Sequence, residues 1–579
     1  MSSTLQSPSR LGLKLQDYDQ VIALSQGNIN ETLELHFMRN EKLHEFKAMF
    51  PTYGLKGTLS SPSVHLIDKE NADQAIFYLN FESGTYYYFE QPSDTPQYDE
   101  DGFPLPVGQP TRVKIDVSDW SLAFFVDFSF KRMATVPDKI RNAIELPGSY
   151  SVNQLLIDFG TPEILNIAWD HCSTPGVPEA QKATCRAEIR MFLGTYLESV
   201  LLKENDHNIL GYTVKIDAPP DGETVEKRLK GVFEKAPHFP PTSVRLQTIN
   251  YRPDGREVQA GGEKSHHNAF LFTEMTQFRK MPNQDLQWSG DWFYGGIGGT
   301  LAMSRQIFLD QYLAEKLQPA IAGPWKMANH IGNTCTQFSD EVLKLDFGGD
   351  REWILKRSRD TSLNVRRGAG VQLTYHDVDE NSARWGDDKE ESVKPLAAME
   401  HYWYNKAELS CVIEPQVGTG KIVITADLKT DTQRTVKSKV GSSDFQLVCK
   451  IQWSTTIDLR AIETDAKLLV GVESKKPIVN VDIVRDTANV DGTGEAAEQW
   501  EKWIQEAAAH RKKRPLKKSI ETHIEMFQNW SGNLAHNLEE ALNQQGRFIF
   551  PGGGTFDMKD PIFSKEGDLL IGLTFREGE

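Results

Sequence analysis

The residues from Thr336 to about Asp486 read almost entirely as β-strands, and this run constrains the fold more than any other feature. Its segments AELSCVIEP, GKIVITADLKT, FQLVCKIQWSTTIDL, KLLVGVES and PIVNVDIV are rich in β-branched residues and are separated by turn formers. Strands that follow one another without intervening helices favour antiparallel pairing. The sequence therefore predicts an α+β protein rather than an alternating βαβ arrangement.

The first part of the chain has the same character. After Pro51, the segments YGLKGTLSSPSVHLI, QAIFYLNFESGTYYYF and TRVKIDVSDWSLAFFVDFSF read as strands, as do TSVRLQTINYR and NAFLFTEMTQF further on. Two amphipathic helices interrupt them. One is capped by Ser25 and carries Ile29, Leu33 and Phe37 on one stripe, and the other runs from Pro178 to about Lys203. Residues 1–15 are predicted to be a loose polar tail.

Two further helices come late in the sequence. The first is GEAAEQWEKWIQEAAAHRKKR, and the second runs from about Leu516 to Gln545 with Ile520, Ile524, Phe527, Leu534, Leu538 and Leu542 on one stripe. At about 1.5 Å per residue the second helix exceeds about 35 Å, which favours a helix lying across a curved sheet. The last two predicted elements are the strand-like segments RFIFPGGGTFDMKDPIF and GDLLIGLTF.

Net charge and cysteine content argue against some classes of function and indicate a cellular compartment. The chain has 579 residues and a net charge of −17, which argues against nucleic-acid binding by the whole surface, because phosphate backbones need a basic face. Five cysteines without a CxxC pair are typical of a reduced, cytoplasmic protein, although a Cys172–Cys185 disulfide stays an alternative. The N-terminal residues lack the apolar region of a secretory signal, and no run has the length of a membrane span.

The glycines in YGGIGGTLAMSRQIFLDQYLAEKLQPAI, from Tyr294 to Ile321, resemble a phosphate-binding loop at first sight. A dinucleotide fingerprint would need a third glycine where Leu301 stands, and no Walker motif is present. The favoured interpretation is a tight turn followed by a core helix. Ser304 is its predicted N-cap, Met303 and Phe308 form a hydrophobic staple, and the apolar stripe is Leu309, Leu313 and Leu317.

Other candidate sites are weaker. His266 and His267 are adjacent and belong to no metal-binding spacing, so they are predicted to be ordinary histidines. The acidic segment from Asp377 to Asp388 has Ser382 where a calcium loop needs glycine, so it is predicted to be a solvated loop. No nucleophile elbow or catalytic set can be assembled, so no enzyme activity, cofactor or metal is predicted.

The segment HRKKRPLKK, from His510 to Lys518, is a basic cluster in an acidic protein. It suits a phospholipid headgroup or a phosphorylated partner. The competing interpretations are a solvated helix junction broken by Pro515, which is favoured, and a nuclear-localisation signal.

Three segments resemble a known family. They are LAMSRQIFLDQYLAEKLQPA, DYDQVIALSQGNINETL and FIFPGGGTFDMKDPIFSKEGDLLIGLTF. Their serine-capped helices and glycine-containing closing strands are similar to those of the OrfX-type proteins of clostridial neurotoxin gene clusters, which belong to the TULIP superfamily. The resemblance implies long helices packed on strongly curved antiparallel sheets, often in two related halves. It also implies a groove for lipids and no catalytic residues.

Three functions follow from these observations as hypotheses. The leading one is non-enzymatic binding of a lipid or other hydrophobic small molecule between helix and sheet, with transient contact to a membrane surface. The alternatives are a protein–protein scaffold component of a toxin-like assembly and an enzyme with an unrecognised site. The predicted halves are residues 16–300 and 301–579. Predicted ligand-binding residues are Leu309, Leu313, Leu317, Ile520, Ile524, Phe527, Leu534 and Leu538, with Arg511, Lys512, Lys513 and Arg514 as headgroup contacts.

Overall fold

The computed structural model describes most of the chain. Its described residues are 7–67, 74–90, 110–133, 150–158, 166–201, 209–219, 222–225, 227, 241–253, 264–313, 356–365, 371–385, 399–462, 467–475, 478–513, 535–536, 538–540 and 556–575. Every strand pairing within them is antiparallel, which confirms the α+β class and the antiparallel sheets predicted from the runs of strands.

Within the described residues, twenty-one strands form three sheets. In chain order they are β1 Gln20–Ser25, β2 Glu45–Met49, β3 Tyr53–Leu59, β4 Ser63–Leu66, β5 Gln74–Glu90, β6 Thr111–Asp116, β7 Ser121–Arg132, β8 Tyr150–Asp158, β9 Ile209–Ile216, β10 Pro241–Ile249, β11 Ala269–Thr276, β12 Gly299–Met303, β13 Lys356–Val365, β14 Val371–Trp385, β15 Met399–Pro415, β16 Lys421–Ser438, β17 Gly441–Ile462, β18 Lys467–Ser474, β19 Ile478–Val490, β20 Phe556–Phe563 and β21 Leu569–Phe575.

Helices are fewer. They are α1 Pro8–Leu11, α2 Gln26–Arg39, α3 Lys182–Tyr196 and α4 Glu495–Lys513, with π-helical segments at Leu197–Leu201 and Gln306–Leu313 and short 3-10 turns at Glu41–Leu43, Trp169–His171, Glu179–Gln181 and Ser265–His267. Residues 535–536 and 538–540 are also helical. No helix among the described residues combines the length and apolar character needed to cross a bilayer.

The six-stranded sheet, in the order β10-β11-β1-β12-β21-β20, joins the beginning and the end of the chain. An eight-stranded sheet holds β2-β3-β5-β7-β8-β9 with β4 and β6 paired to β5. A seven-stranded sheet holds β13-β14-β15-β16-β17-β18 with β19 paired to β17. The strong curvature implied by the family resemblance is not seen in the described strands.

One large apolar cluster, the main core, connects all three sheets. Alternate residues of β1, β11, β12 and β21 face it, as do the buried stripes of α2 and α3. The predicted stripe Ile29, Leu33 and Phe37 is confirmed as the buried face of α2. The helices α2 and α3 therefore pack their apolar stripes against the sheets.

Three local predictions are corrected. Residues 7–15 are not a loose tail, since Pro8–Leu11 form α1 and Arg10, Leu13 and Leu15 are buried. The segment from Asp377 to Asp388 is not a solvated loop, since residues up to Trp385 continue strand β14 and pair with β15. Pairing with long neighbouring strands keeps these polar residues extended, although their composition does not favour a β-strand. The glycine-rich stretch also contains a strand that was not predicted, β12, between its turn and its helix.

Ser304 begins its helix differently from Ser25. The Ser25 hydroxyl accepts the Asn28 N–H at 3.1 Å and is a side-chain cap, as predicted. The Ser304 carbonyl accepts the N–H of Phe308 at 3.0 Å, but its hydroxyl has no hydrogen-bond partner among the described residues. Instead, the Asp568 carboxylate accepts the Arg305 N–H at 2.8 Å. A carboxylate acceptor from the residue that precedes β21 thus takes the place that the sequence assigned to the Ser304 hydroxyl.

A candidate ligand-binding groove along helix α2

A groove of about 840 Å³ follows the exposed face of α2, and we call it the α2 groove. Its lining residues come from four separate parts of the chain: Ser25, Gly27, Asn28, Glu31, Thr32, Glu34, Leu35, Met38, His266, His267, Gly295, Gly296, Ile297, Gly298 and Thr574. They place a polar region at the start of α2 and apolar side chains toward its end.

The sequence of α2 explains why the helix presents two different faces. Ile29, Leu33 and Phe37 recur at helical spacing and are buried in the main core. Asn28, Thr32, Leu35 and Met38 recur on the other side and line the groove, with Met38 61% exposed. The apolar stripe fixes the helix to the sheets, so the second face is held in place without being used for packing.

Asn28 occupies the polar end of the groove. Its side chain is only 8% exposed, and its Oδ1 atom has no hydrogen-bond partner in the part of the chain that the structure describes. A buried amide oxygen without a donor is unfavourable by about 1–3 kcal/mol, so most such atoms in proteins are satisfied. Asn28 is therefore the side chain in this groove that is best suited to accept a donor from a ligand.

Gly298 makes room for the Asn28 side chain. A Cβ atom on Gly298 would lie 2.6 Å from the Asn28 Nδ2 atom, so any other residue would displace the amide. The Gly298 carbonyl also accepts the Ser25 N–H at 2.8 Å, which fixes this backbone against the start of α2. The glycine thus has a packing role in the wall of the groove.

The preceding glycines form the tight turn that the sequence predicted. Gly295 and Gly296 have φ values of +51° and +84°, and the Ile297 N–H donates to the Tyr294 carbonyl at 2.8 Å. Two consecutive residues with positive φ are the signature of a type I′ turn. The turn leads into strand β12 and not into a helix N-terminus, which is a further reason against a phosphate-binding loop.

A buried arginine supports this turn from behind. Arg10 is fully buried, donates from Nη1 to the Trp292 carbonyl at 2.6 Å, and lies 4.4 Å from the centre of the Tyr294 ring. The Tyr294 hydroxyl donates to the Asp560 carboxylate at 3.1 Å. Burial lowers the pKa of Arg10 to about 10, so the guanidinium stays charged at neutral pH and its cation–π contact is kept.

His266 and His267 form the wall opposite the glycine turn. They lie in a 3-10 turn, not on a strand, and their ring centres are 4.1 Å apart. Burial lowers the pKa of His267, and the neighbouring His266 and Lys264 lower it further, so His267 is neutral at pH 7. No group of three or more His, Cys, Asp or Glu side chains in the described ranges is arranged to hold a metal ion.

The residues predicted to bind a ligand lie elsewhere. Leu309 and Leu313 are completely buried in the main core on the π-helical segment, and Leu538 is buried in the same core. Arg511, Lys512 and Lys513 are the last residues of α4. The remaining predicted residues fall outside the described residues: Leu317, Ile520, Ile524, Phe527, Leu534 and Arg514.

Sequence reasoning did not find the α2 groove. One signal was available, because Asn28, Thr32, Leu35 and Met38 have helical spacing opposite the apolar stripe. The other walls could not be assigned to this helix, since they come from residues more than two hundred positions away.

Comparison with known proteins gives matches in structure alone. No family model matches the sequence, and no curated protein matches it. P47 of Clostridium botulinum E1 aligns with 11% identity and a TM-score of 0.41, over 96% of this chain and 99% of that chain. P47 from Clostridium botulinum A2 aligns with 9% identity and a TM-score of 0.42, over 98% and 99%.

A lipopolysaccharide binding protein also aligns, with 9% identity and a TM-score of 0.29, over 97% of this chain and 99% of that chain. The resemblance to OrfX-type and TULIP proteins that three sequence segments indicated is thereby confirmed as a weak one. At these values the likeness says nothing about a ligand or an activity of this chain.

Proposed function

We propose that this protein is a non-enzymatic binding protein for a lipid or another apolar ligand, and that the ligand lies in the α2 groove. The observation that carries the proposal is the groove itself, with a buried, unpaired Asn28 oxygen at one end and the exposed Met38 at the other. Ligand sites are typically concave, with apolar walls and a few polar groups that fix orientation. Covering an exposed methionine side chain contributes roughly 1–2 kcal/mol of binding free energy.

Organic extraction of the natively purified protein, followed by mass spectrometry, tests this function. We expect a stoichiometric amphiphile in the wild-type protein and its loss in the variant Leu35→Asp/Met38→Glu. Both positions are at least partly exposed on α2, so the variant should fold. The matched control is Met191→Glu, an exposed methionine of α3 that does not line the groove.

The predicted apolar residues of the core remain a second location for the same function. A ligand that is retained by Leu35→Asp/Met38→Glu but lost by Phe527→Asp/Leu534→Asp would move the site from the α2 groove to the late helix. An empty wild-type protein that also fails to take up added lipids would contradict the function at both locations.

Two related halves, residues 16–300 and 301–579, are part of the proposal. The order of the six-stranded sheet supports them, because β1 lies beside β12, the strand at the boundary between the halves, and the two are flanked by the late strand pairs of the first and second half, β10–β11 and β20–β21. Each of the two central strands also leads directly into a helix of the main core. A lipid groove of TULIP type belongs to the same proposal.

The basic cluster Arg511–Arg514 is proposed to contact anionic headgroups during transient membrane binding. Flotation with anionic and neutral vesicles tests this role, and reversing the four charges should abolish flotation with the anionic vesicles.

The chemistry of the cysteines supports a cytoplasmic location. Cys172, Cys185 and Cys449 are free thiols, and burial raises the pKa of Cys185 and of Cys449 to about 12. The thiol state is expected for Cys172 and Cys185 in protein purified without reductant, and peptide mapping of alkylated protein would detect a disulfide between them.

A further inference from the structure

We infer that the α2 groove takes an amphiphile whose head is a primary ammonium group and whose tail is a single alkyl chain. This inference rests on the proposed function and names the chemical class of its ligand. It depends on three properties of the groove: an acceptor without a donor, negative lining charge and an apolar wall of suitable length.

The polar end of the groove offers an acceptor. The Asn28 Oδ1 atom is buried and has no partner among the described residues. Two of the backbone donors beside it are already used, because the Gln26 N–H donates to the Asn268 carbonyl at 2.8 Å and the Asn28 N–H donates to the Ser25 hydroxyl at 3.1 Å. The start of α2 therefore has fewer donors left for an anion, and the Asn28 oxygen suits a ligand that donates hydrogen bonds.

The charges of the lining favour a cation. Glu31 lines the groove about one helical turn from Asn28, Glu34 lines it further along α2, and no lysine or arginine is among its described lining residues. Lys264 lies behind His267, outside the lining, and His267 carries no charge at neutral pH. Two carboxylates without a cationic partner in the groove attract an ammonium head and repel a carboxylate or phosphate.

The apolar wall accommodates an alkyl chain. Leu35 and Met38 continue the groove along α2 away from Asn28, and Ile297 adds an apolar side chain to its lining. The ten residue-to-residue steps from Asn28 to Met38 span about 15 Å of helix, which is close to the length of an extended twelve-carbon chain. A head at Asn28 and a tail along Leu35 to Met38 would satisfy both ends together.

Three probes with the same tail separate head chemistry from tail binding. Dodecylamine, dodecanol and dodecanoate are titrated into the full chain at pH 7 below their micellar concentrations, and binding is measured by calorimetry. We expect dodecylamine to bind at least about tenfold tighter than dodecanol, because a charge-assisted hydrogen bond adds to the same apolar contact. Dodecanoate should bind more weakly than dodecanol.

Variants assign the preference to named groups. Asn28→Leu and Glu31→Gln should each weaken dodecylamine by about tenfold while changing dodecanol by less than about threefold, since they remove a polar partner and leave the tail wall. Asn28→Asp keeps the acceptor oxygens and should retain dodecylamine binding. Glu198→Gln, an exposed glutamate after α3 that lies outside the groove, is the charge control. Glu31 is exposed on α2, so its variant tests the inference even if an Asn28 variant does not fold.

The outcomes distinguish the inference from the function on which it rests. Equal affinity for dodecylamine and dodecanol, or tightest binding of dodecanoate, would overturn the ammonium class while leaving a lipid-binding groove in place. Failure of all three probes to bind would overturn the groove as a site for single-chain amphiphiles, and with it this inference. Dodecylamine preference that survives both Asn28→Leu and Glu31→Gln would show that the head binds elsewhere.

Discussion

At the scale of single residues, Glu274 is an unusual component of the six-stranded sheet. Its side chain is completely buried on β11, and its carboxyl oxygen accepts a hydrogen bond from the Gln20 amide of β1. Burial raises the pKa of Glu274 to about 8, against a smaller opposite effect of Gln20. The folded state therefore keeps a proton that the unfolded chain releases near its ordinary pKa of about 4.3.

This shift predicts a pH dependence of stability with a definite sign. Between about pH 4.3 and pH 8 the folded state binds more protons than the unfolded state, so the free energy of unfolding falls as the pH rises through that window. Glu274→Gln keeps a neutral side chain at every pH, and urea denaturation should show a flatter profile for it. The free energy of unfolding of this variant at pH 8 is expected to exceed that of the wild type by a few kcal/mol, at about 1.4 kcal/mol per pKa unit.

The control for this prediction is Glu82→Gln, at an exposed position of β5, which should leave the pH profile unchanged. Parallel profiles for wild type and Glu274→Gln would contradict the buried-acid interpretation.

Arg10 raises a second question at this scale, namely whether its charge or its bulk supports the glycine turn. Two of its guanidinium nitrogens, Nε and Nη2, have no hydrogen-bond partner among the described residues, so the cost of burying the charge is only partly offset. Arg10→Ala should lower the free energy of unfolding by about 2–4 kcal/mol, because it leaves a cavity and removes the donor to Trp292.

Arg10→Met fills the same space without charge, and it should recover at least about half of that loss. Chemical denaturation of the two variants side by side makes the comparison. If methionine is as destabilising as alanine, the guanidinium, through its hydrogen bond to Trp292 and its cation–π contact with Tyr294, is the larger contribution, and the interpretation from bulk is wrong.

At the scale of elements, the start of a helix shows what the sequence can specify and what it cannot. Ser25 was predictable as a cap because its hydroxyl bonds to an N–H three residues later, a contact within the local sequence. The cap at Arg305 was not, because Asp568 arrives from the far end of the chain. Strand β12 was missed for a related reason: all five of its residues are buried on both faces, so the alternation that marks a half-buried strand is lacking.

The helix starts at Ser25 and Ser304 give a prediction that distinguishes a cap within the local sequence from a cap supplied by a distant residue. Asp568→Ala should lower the free energy of unfolding by about 1–2 kcal/mol, since the Arg305 N–H loses a charged acceptor. Ser304→Ala should change it by less than about 0.5 kcal/mol, because its hydroxyl makes no hydrogen bond within the described structure. Thermal denaturation of both variants, with Ser25→Ala as a positive reference, measures the difference. A larger effect at Ser304 than at Asp568 would restore the serine as the cap.

The α2 groove belongs to the same scale and explains why a site is harder to predict than a fold. Sequence patterns identified α2, α3, α4 and several long strands, among them β5, β7, β16 and β17, because burial imposes a local period on each. The residues that form the walls of the groove are not regularly spaced in the sequence. They are two histidines, a glycine turn and the end of β21, and they meet through the order of strands in a sheet.

At the scale of the whole molecule, the six-stranded sheet joins strands from the two ends of the chain. Leu246, Phe272, Ile22, Leu301 and Ile571 stand opposite one another on β10, β11, β1, β12 and β21, and together they form a row across the sheet that faces the main core. Buried cross-strand pairs stabilise neighbouring antiparallel strands together. A substitution that destabilises one end of this row should therefore also destabilise the strands at the other end.

This row predicts long-range coupling that hydrogen exchange can detect. Ile571→Ala removes a fully buried side chain from β21 and should cost about 2–4 kcal/mol. If the sheet opens as one cooperative unit, amide exchange measured by mass spectrometry should accelerate in peptides covering 20–25 and 269–276 as much as in peptides covering 569–575, although the former lie hundreds of residues away. Exchange in β2 and β3 of the eight-stranded sheet is the internal reference and should change less. Acceleration confined to β20 and β21 would mean instead that the closing hairpin opens by itself, and that the two proposed halves keep separate stabilities despite sharing a sheet.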